Sequence, residues 1–414
     1  MKLLFLLCLL VGPSLVQAQT VKNNAIVIGS VDSVTSAVLK EKRTLWVYVP
    51  ASANDPTYLK QRYPVVYLLD GDAWFTTTTG VLQKLSEFPN SVCPEAIVVG
   101  IPNTNRTRDL TPSTSTTDTD MLPAAVLKTA GGGENFTAFL EKELIPYIDA
   151  HYPTTAHRTL IGHSFGGLLV LNTLVHHPDL FENYVAIDPS LFWDQEKLLK
   201  QAHEALAQPR FAGRALFVAS ANNTGLDSVR VLRDASVGGA LTRSQWKLRD
   251  ELARNRRNGL RSAYKYYSAD THNTVPLLAT YDALHFLFSA YALSPAATSD
   301  LFNPASKADQ AALLEAHYRQ VSAQAGYAVL PPESAVNALA YYKLSQPGQA
   351  ARSLALFQLN VRNYPTSFNA HDSLGDHCQS QGQPALAIAS YTKALQLKEY
   401  PATRQKLTKL QEKK

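Results

Sequence analysis

Cysteine is scarce, with three in 414 residues, which excludes a disulfide-built scaffold and a cysteine-rich metal cluster. Cys93 and Cys378 fall in different domains of the organisation argued below, so no structural disulfide is expected between them. An excess of charge of one sign is also lacking. Lys and Arg number 39 against 34 Asp and Glu, a net charge of +5, and no basic run occurs. Nucleic-acid binding and membrane attachment through a polybasic patch are therefore not expected. Glycine (20) and proline (23) follow no period, which excludes a collagen-like chain. A hydrophobic content of 45% is too high for a disordered one. No pair of His or Cys residues has metal-ligand spacing, so no metal and no other cofactor is inferred. Beyond the N-terminus no apolar run is long and uninterrupted enough to span a bilayer.

The apolar residues that do cluster are at the start. Met1-Lys2, the run Leu3 to Val11, the break at Gly12-Pro13 and the small-residue pattern Val16-Gln17-Ala18 read as a secretory leader, residues 1–18, cleaved after Ala18. The expected location is periplasmic or extracellular. Lipid attachment at Cys8 is disfavoured by the bulky Leu7 before it.

The remaining length suits two compact units. Residues 19–293 alternate β-rich runs with helical stretches, the pattern of an α/β domain around a mostly parallel sheet. Strands are predicted at Leu45–Val49, Val65–Leu69, Ile97–Val99, Thr159–Ile161, Tyr184–Ile187, Ala215–Ala219 and Tyr264–Tyr267, and helices over Phe136–Ala150 and Leu168–His176. The Thr-, Ser- and Gly-rich stretch from Asn103 to Gly133 has no period and is predicted to be a loop. Residues 294–414 turn to Ala, Leu and Gln at helical spacing. Within them Leu339 matches Leu374 at an offset of 35 residues, and Phe357 matches Tyr391 at an offset of 34. Two helix-turn-helix units, about 333–366 and 367–401, look like tetratricopeptide repeats. Such a short array needs cover for its apolar face, from its own α/β domain, a second copy of the chain or another protein.

The sharpest motif is Gly162-His163-Ser164-Phe165-Gly166-Gly167, between the buried-strand run Thr159-Leu160-Ile161 and the helical run Leu168 to Leu174. Strand, sharp turn and helix are what a nucleophile elbow needs, because the strained turn lifts the Ser164 hydroxyl clear of the sheet.

In chain order the sequence also holds Leu68-Leu69-Asp70-Gly71-Asp72, Ile101-Pro102-Asn103 leading to Arg106 and Asp109-Leu110-Thr111-Pro112, then Gly162-His163-Ser164, Asp188-Pro189-Ser190-Leu191-Phe192-Trp193-Asp194, and His272-Asn273-Thr274-Val275-Pro276. This set resembles the esterases of the α/β-hydrolase superfamily related to enterobactin esterase and esterase D, in the branch with C-terminal tetratricopeptide repeats. The resemblance implies an α/β-hydrolase fold and a serine esterase acting on a small-molecule carboxylic ester. It departs from the family at Asn273-Thr274, where Gly-Ser is usual.

An alcohol nucleophile needs an imidazole to take its proton. His272, after the last predicted strand and before a helix from Leu277, is so placed and matches the family's catalytic histidine. His163 is expected to pack or to face substrate, and His176, His177 and His285 to be structural. The acid is ambiguous, because Ser220-Ala221-Asn222-Asn223 stands where related esterases often carry a carboxylate. Asp227 and Asp188 are equal candidates, a Ser-His dyad remains open, and Asp270 reads as a loop residue. Oxyanion donors are expected at the N–H of Phe165 and at Gly71 or Asp72. Trp74, Phe192 and Trp193 are candidates to wall the substrate pocket. Two alternatives stay open: an acyltransferase that uses a sugar or lipid hydroxyl, and a non-catalytic binding protein built on the repeats.

Overall fold

In the computed structural model, which describes residues 25–88, 91–118 and 122–412, eight strands form one sheet. They are β1 (Ser30–Ser36), β2 (Glu41–Tyr48), β3 (Tyr63–Leu69), β4 (Ile97–Ile101), β5 (Thr154–His163), β6 (Asn183–Ile187), β7 (Ala215–Ala221) and β8 (Arg261–Tyr267). Their order across the sheet is β1-β2-β4-β3-β5-β6-β7-β8. β2 runs antiparallel to both of its neighbours, and every other pair is parallel. The leader expected at residues 1–18 lies outside the described residues.

β3, β4, β6 and β7 are almost wholly apolar because they are covered on both faces, whereas β5 is mostly polar up to Thr159 and continuously buried only from there. Alternate residues of β3 point opposite ways: Val65, Tyr67 and Leu69 enter one core, Val66 and Leu68 the other. The first core is closed by helices that include Phe165–His176 and Trp193–Leu206, the second by helices Gly71–Leu85 and Val275–Leu287. β1 was not expected. It is a polar edge strand of which only Val34 and Ser36 are buried, so it lacks the apolar signature of the others.

The helix expected over Phe136–Ala150 is helical from Gly133 to His151 but contains a π-helical turn at Leu140–Leu144. Pro146 explains it, since proline lacks the N–H and its ring crowds the carbonyl four residues earlier. The stretch from Asn103 to Gly133 is not all loop. It holds the short helices Arg106–Leu110 and Ala124–Leu127, the first capped by the Asn105 side chain, which accepts from the Arg108 N–H at 3.0 Å. Buried Arg43 pins this segment to the sheet through Asp109 at 2.7 Å, and Arg108 adds 2.6 Å to the same carboxylate.

The C-terminal region is helical throughout. Helices Glu333–Leu344 and Ala350–Asn363 form one hairpin, Phe368–Ser380 and Pro384–Leu397 a second, and Pro401–Gln411 packs on the last. The region rests on its own α/β domain. The fully buried Glu333 carboxylate accepts from the Leu59 N–H at 3.0 Å and from Ser367 Oγ at 2.5 Å, and Lys398 Nζ donates to the Pro56 carbonyl at 2.7 Å. Cys93 and Cys378 are both buried, one on each side of this junction. Replacing Glu333 by leucine leaves buried donors unpaired, and hydrogen bonds to a charged group contribute about 1.5–3 kcal/mol each. Glu333→Leu should therefore lower the urea midpoint clearly, and Glu333→Gln, which keeps an acceptor, should lower it less. Equal midpoints for the leucine variant and the wild type would contradict this.

Candidate active site

Three neighbouring strands end in non-glycine residues with left-handed backbone: Asp70 after β3 (φ 52°), Ser164 after β5 (φ 60°) and Asp188 after β6 (φ 45°). Such conformations are costly and persist only where the surroundings enforce them, most often at functional sites. At Ser164 the ladder enforces it. The Ser164 N–H donates to Ile187 O at 2.9 Å, continuing the β5–β6 pairing, while Leu168 N–H already closes a helical turn on Ser164 O at 2.9 Å. Strand becomes helix within one residue. A side chain at Gly162 would collide with the Gly166 backbone across the turn.

The structure brings His272 and Asp188 together. His272 Nδ1 lies 2.5 Å from Asp188 Oδ2, on the loop after β8 and at the same end of the sheet as Ser164. Asp188 is fully buried, and its other oxygen accepts from the Ala221 N–H at 2.8 Å, Gln245 Nε2 at 3.0 Å and Asn223 Nδ2 at 3.2 Å. Burial alone would push this carboxyl up. The hydrogen bonds from His272, Ala221 and Gln245 outweigh it and hold Asp188 below the ordinary carboxylate value.

Asp227 is not brought to His272. It is exposed and caps the short helix Ser228–Val231, accepting from the N–H groups of Val229 at 3.1 Å and Arg230 at 2.9 Å. The amides after β7 support Asp188 where a carboxylate was looked for: Asn223 donates to it, and Asn222 N–H ties down Asp270 O at 2.8 Å. Asp270 is a loop residue, its carboxylate accepting from Thr274 Oγ1 at 3.1 Å.

Among the described residues, the one side-chain hydrogen bond of Ser164 Oγ is with Ser190 Oγ at 3.2 Å. Ser190 stands in the sequence only as a member of the motif that begins at Asp188. Arg106 was singled out there only as part of a motif. Its guanidinium forks Asp70 at 2.7 and 2.9 Å, reaches the His163 carbonyl at 3.2 Å and lies over the Phe165 ring. The turn after β3 is thereby fixed to the elbow. Phe165 begins one helix and Gly71-Asp72 another, and first-turn N–H groups have no acceptor within their own helix. Gly71 has no room for a side chain, because a Cβ would lie 2.5 Å from Ile101 N.

Of the three aromatic candidates, Trp74 and Phe192 are half-buried at this rim, and Trp74 meets His163 edge-on at 5.6 Å. Trp193 is a correction. It is 1% exposed, packs edge-on against Phe165 at 5.0 Å and donates its indole N–H to Ser113 O at 3.0 Å. It supports the elbow from beneath and walls no open pocket. A cavity of about 610 Å³ lined by His157, Arg214, Arg261 and Phe288 lies at the opposite end of the strands. Strand-end geometry, not cavity size, therefore locates the site.

Two buried histidines give the protein an acid-sensitive window. His163 and His157 are each pulled down to about 4, mainly by burial. Between pH 6.5 and 4 the unfolded chain binds protons that the folded one refuses, so stability falls as pH falls, by up to about 1.4 kcal/mol per unit for each group. Asp188, held below the ordinary carboxylate value, acts with the same sign, but its contribution is lost only as the pH falls through and below the ordinary carboxylate range. The melting temperature should drop from pH 6.5 to pH 4.5, and a flat profile over that range would refute the account.

A sheet of this order, with a serine in a strained strand-to-helix turn and a histidine–carboxylate pair on adjoining strand ends, defines an α/β-hydrolase. The chain belongs to the family described as Putative esterase, whose model matches residues 36–274. It is 32% identical over 190 residues to the ferri-bacillibactin esterase BesA of Bacillus subtilis, covering 43% of this chain and 65% of that protein. It is 29% identical over 165 residues to the apo-salmochelin esterase of Escherichia coli O6:H1, covering 38% and 49%. The chain thus spans about half to just under two thirds of the length of such curated relatives. An IroE-like serine hydrolase from Shewanella oneidensis superposes with a TM-score of 0.69 at 29% identity, over 81% of this chain and 99% of that one. A protein of Capnocytophaga ochracea shares the fold over 92% of this chain and 99% of its own, with a TM-score of 0.55 at 17% identity. Among the described residues no helix is long and apolar enough to cross a membrane.

Proposed function

We propose that this protein is an exported serine esterase that works through an acyl-enzyme on Ser164. The observation that carries the reading is the 2.5 Å contact of His272 with the buried Asp188 beside the strained Ser164. Asp188 holds the proton on His272 Nδ1, which leaves Nε2 free to accept. For attack, the Ser164 hydroxyl turns from Ser190 toward that nitrogen, gives up its proton and adds to the ester carbonyl. The N–H of Phe165 and that of Gly71 or Asp72 receive the oxyanion. His272 returns the proton to the departing alkoxide, and water, activated in the same way, releases the acid and frees Ser164.

Trp74 and Phe192 border the acyl group. The names of the relatives make an ester-linked siderophore the first substrate to test. Residues 1–18 direct export and are removed. The experiment is fluorophosphonate labelling of the mature chain, with the label mapped by peptide mass and turnover of a siderophore triester followed beside p-nitrophenyl esters. One label at Ser164 together with ester turnover is the expected result. An unlabelled protein without turnover would overturn the reading.

A further inference from the structure

The residue before the nucleophile is unusual for its burial and its partner. His163 is 6% exposed, at the end of β5, and its Nε2 lies 2.8 Å from the backbone carbonyl of His272. A carbonyl only accepts, so Nε2 carries the proton and donates. The two imidazole rings are 4.4 Å apart, and Trp74 closes the other side of His163.

We propose that His163 is a positioning residue that fixes the height of His272 over the elbow by holding its backbone. The proposal rests on the serine-esterase reading above. The other ties of the His272 loop run elsewhere: Asn222 holds Asp270, and Thr274 closes a local turn with Thr271. Asp188 holds the His272 ring by one nitrogen, and a single hydrogen bond leaves that ring free to swing about it. The bond from His163 to the backbone adds a second fixed point and comes from the residue bonded directly to Ser164. A displacement of about 1 Å between reacting groups is enough to lower a rate about 100-fold. His163 is suited to permanent donation, because burial and the neighbouring His272 keep it neutral. A neutral amide of similar reach should then replace it.

The test compares His163→Leu, which fills the space without a donor, with His163→Gln, which restores an N–H near Nε2. For a p-nitrophenyl ester the leucine variant should lose about 10- to 100-fold in kcat with KM within about threefold of wild type. The rate of fluorophosphonate labelling at Ser164 should fall in parallel, and the glutamine variant should recover most of both. Equal kinetics for the two variants, whether both normal or both impaired, would assign His163 to packing and overturn the proposal. So would a loss confined to KM. A wild-type protein that takes no label at Ser164 and turns over no ester would remove the underlying reading along with it, whereas normal kinetics in the leucine variant of a labelled, active enzyme removes this proposal alone. Melting temperatures of the two variants separate a kinetic loss from incomplete folding.

Discussion

Ser164→Ala should lower kcat on p-nitrophenyl esters by about 10⁴-fold or more and abolish fluorophosphonate labelling, while the melting temperature barely moves. The first part follows from chemistry: without the hydroxyl no acyl-enzyme forms, and only the binding and oxyanion contributions remain. The second follows from how little the fold asks of that hydroxyl. Its one side-chain hydrogen bond among the described residues, to Ser190 at 3.2 Å, is neutral and long, and such a bond contributes about 1 kcal/mol. The left-handed turn is enforced by the backbone bonds of residues 164 and 168, which alanine keeps. Retention of more than about a tenth of the activity would reject Ser164 as nucleophile, and mapping any residual label would show whether the neighbouring Ser190 acts in its place.

What could be read from the sequence was what is local. The strand-turn-helix around Ser164 is spelled by contiguous residues, and so is the apolar character of β3, β4, β6 and β7. The geometry of the acid was not legible, because Asp188 and Asp227 both lie on loops at the correct end of the sheet. What separates them is the left-handed turn at Asp188 (φ 45°), which aims the carboxylate inward, and a cap that occupies Asp227. The cap could have been noticed, since Asp before Ser228-Val229-Arg230 is a common helix start. The burial of Trp193 depends on Ser113 from a segment without periodicity, so no pattern near Trp193 announces it. Likewise the role of Arg106 depends on Asp70, 36 residues away in sequence. β1 was missed because an edge strand with a polar face carries half the signal of a buried one.

Asp188→Asn should lower kcat by about 10³- to 10⁴-fold at neutral pH with little change in stability, and Asp227→Asn should leave kcat within about twofold of wild type. The asparagine at 188 has the shape of the carboxylate and keeps an oxygen for the Ala221 N–H and the Gln245 amide. Its amide nitrogen then faces His272 Nδ1 and donates where the carboxylate accepted. The imidazole responds by moving its proton to Nε2, the atom that must receive the proton of Ser164, and the base is lost without any loss of packing. Asp227→Asn changes none of this, since asparagine caps a helix about as well as aspartate. The comparison also decides the remaining mechanism. If Asp188→Asn retained near-normal kcat, its contact with His272 would be structural and the enzyme a Ser-His dyad. If Asp227→Asn were the damaging change, the loop after β7 would have to refold during turnover to release its cap. The expected pattern, a large loss at 188 and none at 227, follows from the carboxylate at 188 being buried, hydrogen-bonded on both oxygens and within 2.5 Å of the ring that must be held.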